Sequence, residues 1–412
     1  MSVASKIPPL RFKGFDGAWT DVRLGEIGGS WFKGQPLSKN ELSDDGQNKC
    51  IHYGELFTIY GAVIENVSST TNVLRRIGSK EGDLLFPASD VTPDGLGRCS
   101  ALFVDGVLLG GDLIGFRQNE VDSQFLSYAI NNCRDQIVQL VTGTTVRHSS
   151  AEKLKSVVAS ISVNRAEQQK IGLTFRSLDA LIADRESAVE KLKTLKKAML
   201  EKMFPRAGAK VPEVRFKGCE GEWKEKRLGD SVRFAKGKGY SKSDIQEEGT
   251  PLFLYGRMYT DYQIEVDRVD TFCVQRNGSV LSVGNEVICP ASGETAEDIA
   301  CASAVKEKGI VLGGDLNILV PHANSGLDPT FLAMSLTYGS GRAKIVERAQ
   351  GKTVVHIHNS DLEDVVVLSP SLLEQRKIGA YFRSLDALIS ARQEEVGKLK
   401  DLKKALLDRM FV

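Results

Sequence analysis

Apolar residues recur every three or four positions over residues 167–204, and do so again over residues 374–411. In the first stretch Leu178, Leu181, Ile182, Val189, Leu192, Leu195 and Met199 make one stripe. In the second, Leu385, Leu388, Ile389, Val396, Leu399, Leu402 and Leu406 repeat it. This period predicts two long amphipathic helices. The stretches are also copies, aligned without a gap: EQQKIG and FRSLDALI return as EQRKIG and FRSLDALI. Asn164 with Glu167, and Ser371 with Glu374, have capping-box spacing at the two starts. Pro205 ends the first helix. About 40 helical residues span roughly 60 Å, more than a small domain covers. Each stripe therefore needs a partner, and the nearest is its own copy, packed antiparallel within one chain. A two-helix coil is expected to leave Ile182, Val189, Ile389 and Val396 as open edges for a further helix.

Ahead of each helix the pattern is shorter and broken. Residues 102–116 and 309–320 are apolar runs interrupted by Gly-Gly and read as strands. Residues 122–140 and 328–348 read as helices following them. The fold class is α+β, with a twisted sheet or partial barrel in each globular part. The repeat extends into these parts. RFKGF at 11–15 matches RFKGC at 215–219, Trp19 matches Trp223, and Arg23-Leu24-Gly25 matches Arg227-Leu228-Gly229. Fainter echoes keep their order: Tyr53-Gly54 with Tyr255-Gly256, Pro87-Ala88-Ser89 with Pro290-Ala291-Ser292, LGGDL at 109–113 and at 312–316, and Gly143-Thr144-Thr145-Val146 with Gly351-Lys352-Thr353-Val354. The expected organisation is a globular domain at 1–162, a helix at 163–204, a linker at 205–213, a second globular domain at 214–369 and a second helix at 370–412.

Composition narrows the class without choosing a function. The chain has 412 residues and a net charge of +1, which neither announces nor excludes a nucleic-acid partner. Seven cysteines are scattered with no Cys-x-x-Cys pair, as suits a reducing cytosol. The first residues lack the apolar core of a signal peptide, and no apolar run is long enough to span a bilayer. A cytoplasmic location is expected.

Candidate catalytic patterns fail on spacing. Gly351-Lys352-Thr353 resembles the end of a phosphate loop, but Val346 stands where its first glycine belongs. The glycines at 25–29 lack dinucleotide-binding spacing. His356 and His358 have no third ligand. Asp328-Pro329-Thr330-Phe331 lacks the second proline and the aromatic hydroxyl of a methyltransferase motif. No active site, metal site or cofactor is expected in this chain.

Two polar clusters remain, and both recur. Lys33, Gln35, Ser38, Lys39 and Asn40 correspond to Lys236, Lys238, Tyr240, Ser241 and Lys242. Thr144, Thr145, Arg147 and His148 correspond to Lys352, Thr353 and His356. Each mixes cations with donors able to meet phosphates or base edges. Matched positions with changed side chains are what two related modules reading two different sequences would carry.

Taken together, the paired RFKG, Trp and RLG starts, the Gly-Thr-type turns and the EQ-KIG-FRSLDALI helices resemble the DNA-specificity subunit of a type I restriction–modification system, over essentially the whole chain. The resemblance implies two target-recognition domains, each reading half of a split, non-palindromic DNA sequence. It implies that the paired helices act as a ruler and dock two adenine methyltransferase subunits, with restriction subunits joining them. S-adenosylmethionine, ATP and Mg would then be bound by those partners. A ruler of roughly 60 Å leaves an unread spacer of roughly six to nine base pairs. The rival reading is a bivalent coiled-coil scaffold that binds proteins instead of DNA.

Overall fold

The computed structural model describes residues 6–74, 78–143, 145–351 and 354–412. The chain forms two compact units: residues up to Ala188 together with Arg392–Val412, and Val189–Ala391. Among the described residues no helix is long and apolar enough to cross a membrane.

The first unit holds a five-stranded sheet in the order Gly29–Lys33, Leu113–Gln118, Asp83–Pro87, Ser100–Leu102 and Val63–Ile64. Neighbours are antiparallel except the last pair. Asp83–Pro87 is buried at every position, which fits a central strand covered on both faces. The second unit has the same order: Val232–Lys236, Leu316–Pro321, Val287–Pro290, Ser303–Val305 and Glu265–Val266. Its last pair is again parallel. The α+β architecture is thus built twice on diverged sequence. Each expected helix after the sheet is two shorter ones, Ser123–Asn132 and Arg134–Leu140, then Pro329–Thr337 and Ser340–Arg348. The breaks fall at Cys133 and at an extended Gly339, where the helical dihedrals lapse.

The two long helices span Arg165–Lys202 and Leu372–Met410. At their starts only half of each capping box forms. Asn164 Oδ1 accepts from the Glu167 N–H at 3.3 Å, and Ser371 Oγ from the Glu374 N–H at 3.3 Å. The carboxylates turn elsewhere, because a stronger partner is available. Arg11 donates twice to Glu167, both at 2.7 Å, and spends its remaining donors on the carbonyls of Asp16 and Gly17. Trp19 adds its indole N–H at 3.3 Å. In the second unit Arg215 meets Glu374 at 2.8 and 2.7 Å and closes on Glu220 and Gly221. The RFKG repeat therefore clamps the start of each long helix.

Glu167 is fully buried, and Arg11 is partly buried. Burial alone would raise the Glu167 carboxyl, but hydrogen bonds from Arg11 and Ser162 outweigh it and hold it below its ordinary value. Its contribution is therefore present above the unfolded value of 4.5 and is lost as pH falls through the lower, folded value. Removing one member of a buried pair strands the other charge. Arg11→Ala is expected to cost about 3–5 kcal/mol of unfolding free energy in denaturant titrations at neutral pH. The double change Arg11→Met with Glu167→Leu should recover most of that loss. A single variant as stable as the parent would remove the clamp from the account.

Within the first unit the two long helices run antiparallel. Asp179 pairs with Lys403, Arg185 with Glu395 and Glu186 with Lys400. The second unit repeats this: Lys196 pairs with Asp386, while Leu200, Met203 and Phe204 share a core with Ile378 and Phe382. The seam follows heptads: Ile171, Phe175, Leu178, Ile182, Arg185, Val189, Leu192, Lys196, Met199 and Met203 are buried or half-buried in steps of four and three. The second helix carries Leu385, Ile389, Val396, Leu399 and Leu406 in the same way.

This corrects the expected open edge. Ile182, Val189, Ile389 and Val396 are buried, not available, whereas Leu181, Leu195, Leu388 and Leu402 are 38–49% exposed. Leu195 and Leu402 therefore lie outside the seam they were assigned to. Two cations, Arg185 and Lys196, occupy seam positions because their charged ends reach acids on the facing helix. An apolar count passes over them and takes the flanking leucines instead.

Candidate nucleic-acid interface

The first cluster sits where the edge strand of each sheet ends. Gly29–Lys33 closes on an exposed Lys33, and the backbone then turns: Gly34 N–H donates to Leu113 O at 2.7 Å and Gln35 N–H to Leu109 O at 2.8 Å. In the second unit Gly237 N–H donates to Leu316 O at 2.9 Å and Lys238 N–H to Leu312 O at 3.2 Å, beyond an exposed Lys236. Glycine is required at this turn. A Cβ on Gly34 would lie 2.0 Å from the Gly110 carbonyl oxygen, and one on Gly237 1.8 Å from that of Gly313. Ser38 and Ser241 then start short 3-10 turns at Lys39–Glu41 and Lys242–Asp244, each serine N–H donating to the turn's acid at 2.7 Å. Lys33, Lys39, Lys236, Lys238 and Lys242 are exposed and form no ion pair within the described residues.

Tyr240 behaves differently. It is buried, in the left-handed region at φ +54°, with its hydroxyl 2.6 Å from Ser279 Oγ and its ring under the Arg276 guanidinium. It shapes the loop and does not offer a free hydroxyl.

The second cluster forms a narrow hairpin. Thr142 and His148 exchange backbone hydrogen bonds at 3.2 and 2.8 Å, as Gln350 and His356 do at 3.0 and 2.7 Å. Gly143 and Gly351 supply φ of +119° and +133° at the turns. Thr144, Lys352 and Thr353 lie outside the described residues. Thr145 and His148 are exposed, Arg147 is half-buried opposite Asp90, and His356 is exposed opposite Ser292.

The LGGDL echo joins the clusters. Gln35 bridges to Gly110, while Asp112, at φ +52°, accepts from the Ala88 N–H at 2.7 Å and from Ser89 Oγ at 2.8 Å. Ser89 in turn faces His148. Asp315, at φ +57°, repeats the contact with the Ala291 N–H at 2.7 Å. Both clusters thus gather at one end of each sheet. In the second unit Tyr240, Ser241 and Lys242 of the first cluster line a groove of about 1610 Å³ together with Ser292, Asp315 and Val354, the last from the turn of the second hairpin.

The groove also contains residues that the sequence pattern did not single out. Tyr255 and Tyr259 stand edge to face on one wall, on and beside the short helix Arg257–Thr260. Arg257 is held by Asp261 and Asp270. Glu294, before the short helix Ala296–Ile299, and Glu297 within it are exposed and also line the groove. The Tyr-Gly echo at 53–54 and 255–256 was the available signal for this wall, and its meaning depends on the tertiary neighbours.

No protein-family model matches the chain. Among curated proteins it is similar to the type I restriction enzyme MjaVIII specificity subunit of Methanocaldococcus jannaschii, 23% identical over 204 residues that make up 50% of this chain and 43% of that protein. It is also similar to the putative type I restriction enzyme MjaX specificity subunit of the same organism, 24% identical over 316 residues, 71% of this chain and 68% of that one. The match thus spans less than half of the first relative. By fold it is similar to the S subunit of a type I restriction–modification system from M. genitalium, with a TM-score of 0.62, 17% identity and coverage of 98% and 99% of the two chains. A second solved structure, described as bearing on complex assembly and conformational transition of the type I restriction–modification system, gives a TM-score of 0.50 at 19% identity, covering 97% and 99%. The resemblance seen in the sequence therefore stands: the curated relatives are described as specificity subunits of type I restriction enzymes, and the M. genitalium neighbour by fold is the S subunit of a type I restriction–modification system.

Proposed function

We propose that this chain is the DNA-reading subunit of a type I restriction–modification complex, each unit reading one half of a split duplex target. One observation carries the reading. The two units share the order of their five-stranded sheets and one backbone frame at the loop clusters, yet the side chains on those loops differ. A scaffold binding one protein twice would keep the side chains. Two readers of different sequences would change them. The unpaired lysines supply phosphate attraction, and the polar groups between them face base edges. Adenine methylation, the methyl donor, ATP hydrolysis and cleavage are assigned to partner subunits. The test is adenine methylation mapped across the host genome with and without this gene. A split, non-palindromic motif that disappears with the gene supports the reading, and an unchanged pattern removes it. Binding to DNA that does not weaken steeply with salt would favour the protein-binding scaffold.

For partner docking the open surface is the leucine flank, not the seam. Leu195→Asp with Leu402→Asp is expected to abolish co-purification with methyltransferase subunits while leaving the melting temperature within about 2–4 °C of the parent. Ile182→Asp with Ile389→Asp should unfold the helix pair itself. Full complex recovery in the leucine variant would argue against docking on this flank.

A further inference from the structure

Both units carry one further matched position beside the loop clusters, and the two side chains there differ in kind. Each central strand ends at the proline of a Pro-Ala-Ser sequence, and a short helix capped by threonine follows: Thr92 before Pro93–Leu96 and Thr295 before Ala296–Ile299. Thr92 Oγ1 accepts from the Gly95 N–H at 3.4 Å, and Thr295 Oγ1 from the Asp298 N–H at 3.1 Å. The residue just before the cap is Val91 in the first unit and Glu294 in the second. Val91 is 68% exposed, an apolar side chain with no cover. Glu294 is exposed on the wall of the groove, and its carboxylate has no hydrogen bond or ion pair within the described residues. Two residues earlier on each loop, Ser89 and Ser292 face His148 and His356. The position is therefore held by the same backbone frame as the second cluster, while among the described residues no hydrogen bond or ion pair uses its side chain.

We propose that Val91 and Glu294 are specificity-determining residues, each meeting one base edge in the major groove of its half-site. This rests on the DNA-reading function proposed above. A carboxylate repels phosphate, so Glu294 is unsuited to the backbone. What it can accept from is an exocyclic amine, the N4 amino group of cytosine or the N6 amino group of adenine. An exposed valine neither donates nor accepts a hydrogen bond and offers methyl groups, which suit the 5-methyl of thymine. The nearby Lys242 supplies the phosphate contact that holds the duplex at the rim, so a carboxylate inside the groove does not forbid binding.

The experiment replaces Glu294 by valine, and separately by glutamine, in the chromosomal gene of a restriction-deficient host, and maps adenine methylation. Because the side chain is exposed and unpaired, the melting temperature should not move. Glu294→Val is expected to lower methylation at the parental target about tenfold to hundredfold, and to shift preference from an amine-bearing base towards thymine at one position of one half-site. Glu294→Gln, which can both donate and accept, should favour adenine at that position. Val91→Glu should act in the other half-site only. An unchanged motif in the valine variant overturns the proposal while leaving the DNA-reading function standing, and so does a change spread over both half-sites. If deleting the gene leaves methylation untouched, the function itself falls and this inference with it.

Discussion

Replacing Phe411 by alanine is expected to destabilise the first unit by about 3–5 kcal/mol, although it lies far along the chain from that unit's strands. Phe411 is 5% exposed and belongs to the core beneath the first sheet. Its ring lies 5.9 Å from Trp19, 5.5 Å from Phe125 and 5.7 Å from Phe175. The Leu10 N–H donates to Arg409 O at 2.8 Å, fixing the helix end against the segment ahead of the first strand. Truncation leaves a cavity bounded by three aromatic rings, and relaxed neighbours fill such a cavity poorly. The matching position is Phe204, packed on Trp223 and Phe331 in the second unit. Hydrogen exchange resolves the two variants. Phe411→Ala should speed exchange in residues 78–143, and Phe204→Ala in residues 281–349, each sparing the other unit. Loss spread evenly over both units would sink the assignment of each helix end to one core.

The long helices were legible because a sustained three-four period over nearly forty residues has few alternative explanations, and the gapless repeat doubled the signal. The seam was less so. Arg185 and Lys196 lie in it and Leu181 and Leu195 do not, a reversal decided by which acids face them from the second helix. The five-stranded order was not legible at all. Its strands run two to six residues, and their pairing depends on contacts far apart in sequence. The RFKG repeat was visible as a pattern, but nothing local said that Arg11 and Arg215 reach carboxylates more than 150 positions away. The two polar clusters were named separately, and their union depends on the LGGDL turn. That turn carries an aspartate in the left-handed region, a conformation no periodicity reveals.

Exchanging residues 20–160 for the same region of a relative is expected to change one half-site completely and leave the other untouched. The cut suits the fold. Thr20–Arg23 pairs with Val158–Ile161, so both strands of this ribbon travel together apart from the last residue. Arg11, Trp19, Glu167, Phe175 and Phe411 stay behind, so the helix clamp and three rings of the aromatic core are kept, while Phe86, Phe116, Phe125 and Tyr128 leave with the exchanged region. Phe125 travels with the graft and must be matched by an aromatic residue, since it packs 5.4 Å from Trp19. A complementary deletion addresses the helices. Removing residues 182–188 and 389–395 together takes one heptad from each seam, bringing Val189 into the place of Ile182 and Val396 into that of Ile389. The bases of both half-sites should then be unchanged, and only their separation should shorten, or recognition be lost. Deleting one heptad from a single helix should instead break the pairing of Asp179 with Lys403 and cost stability. Both half-sites changing after the exchange, or altered bases after the paired deletion, would remove the division of labour between units that read and helices that space.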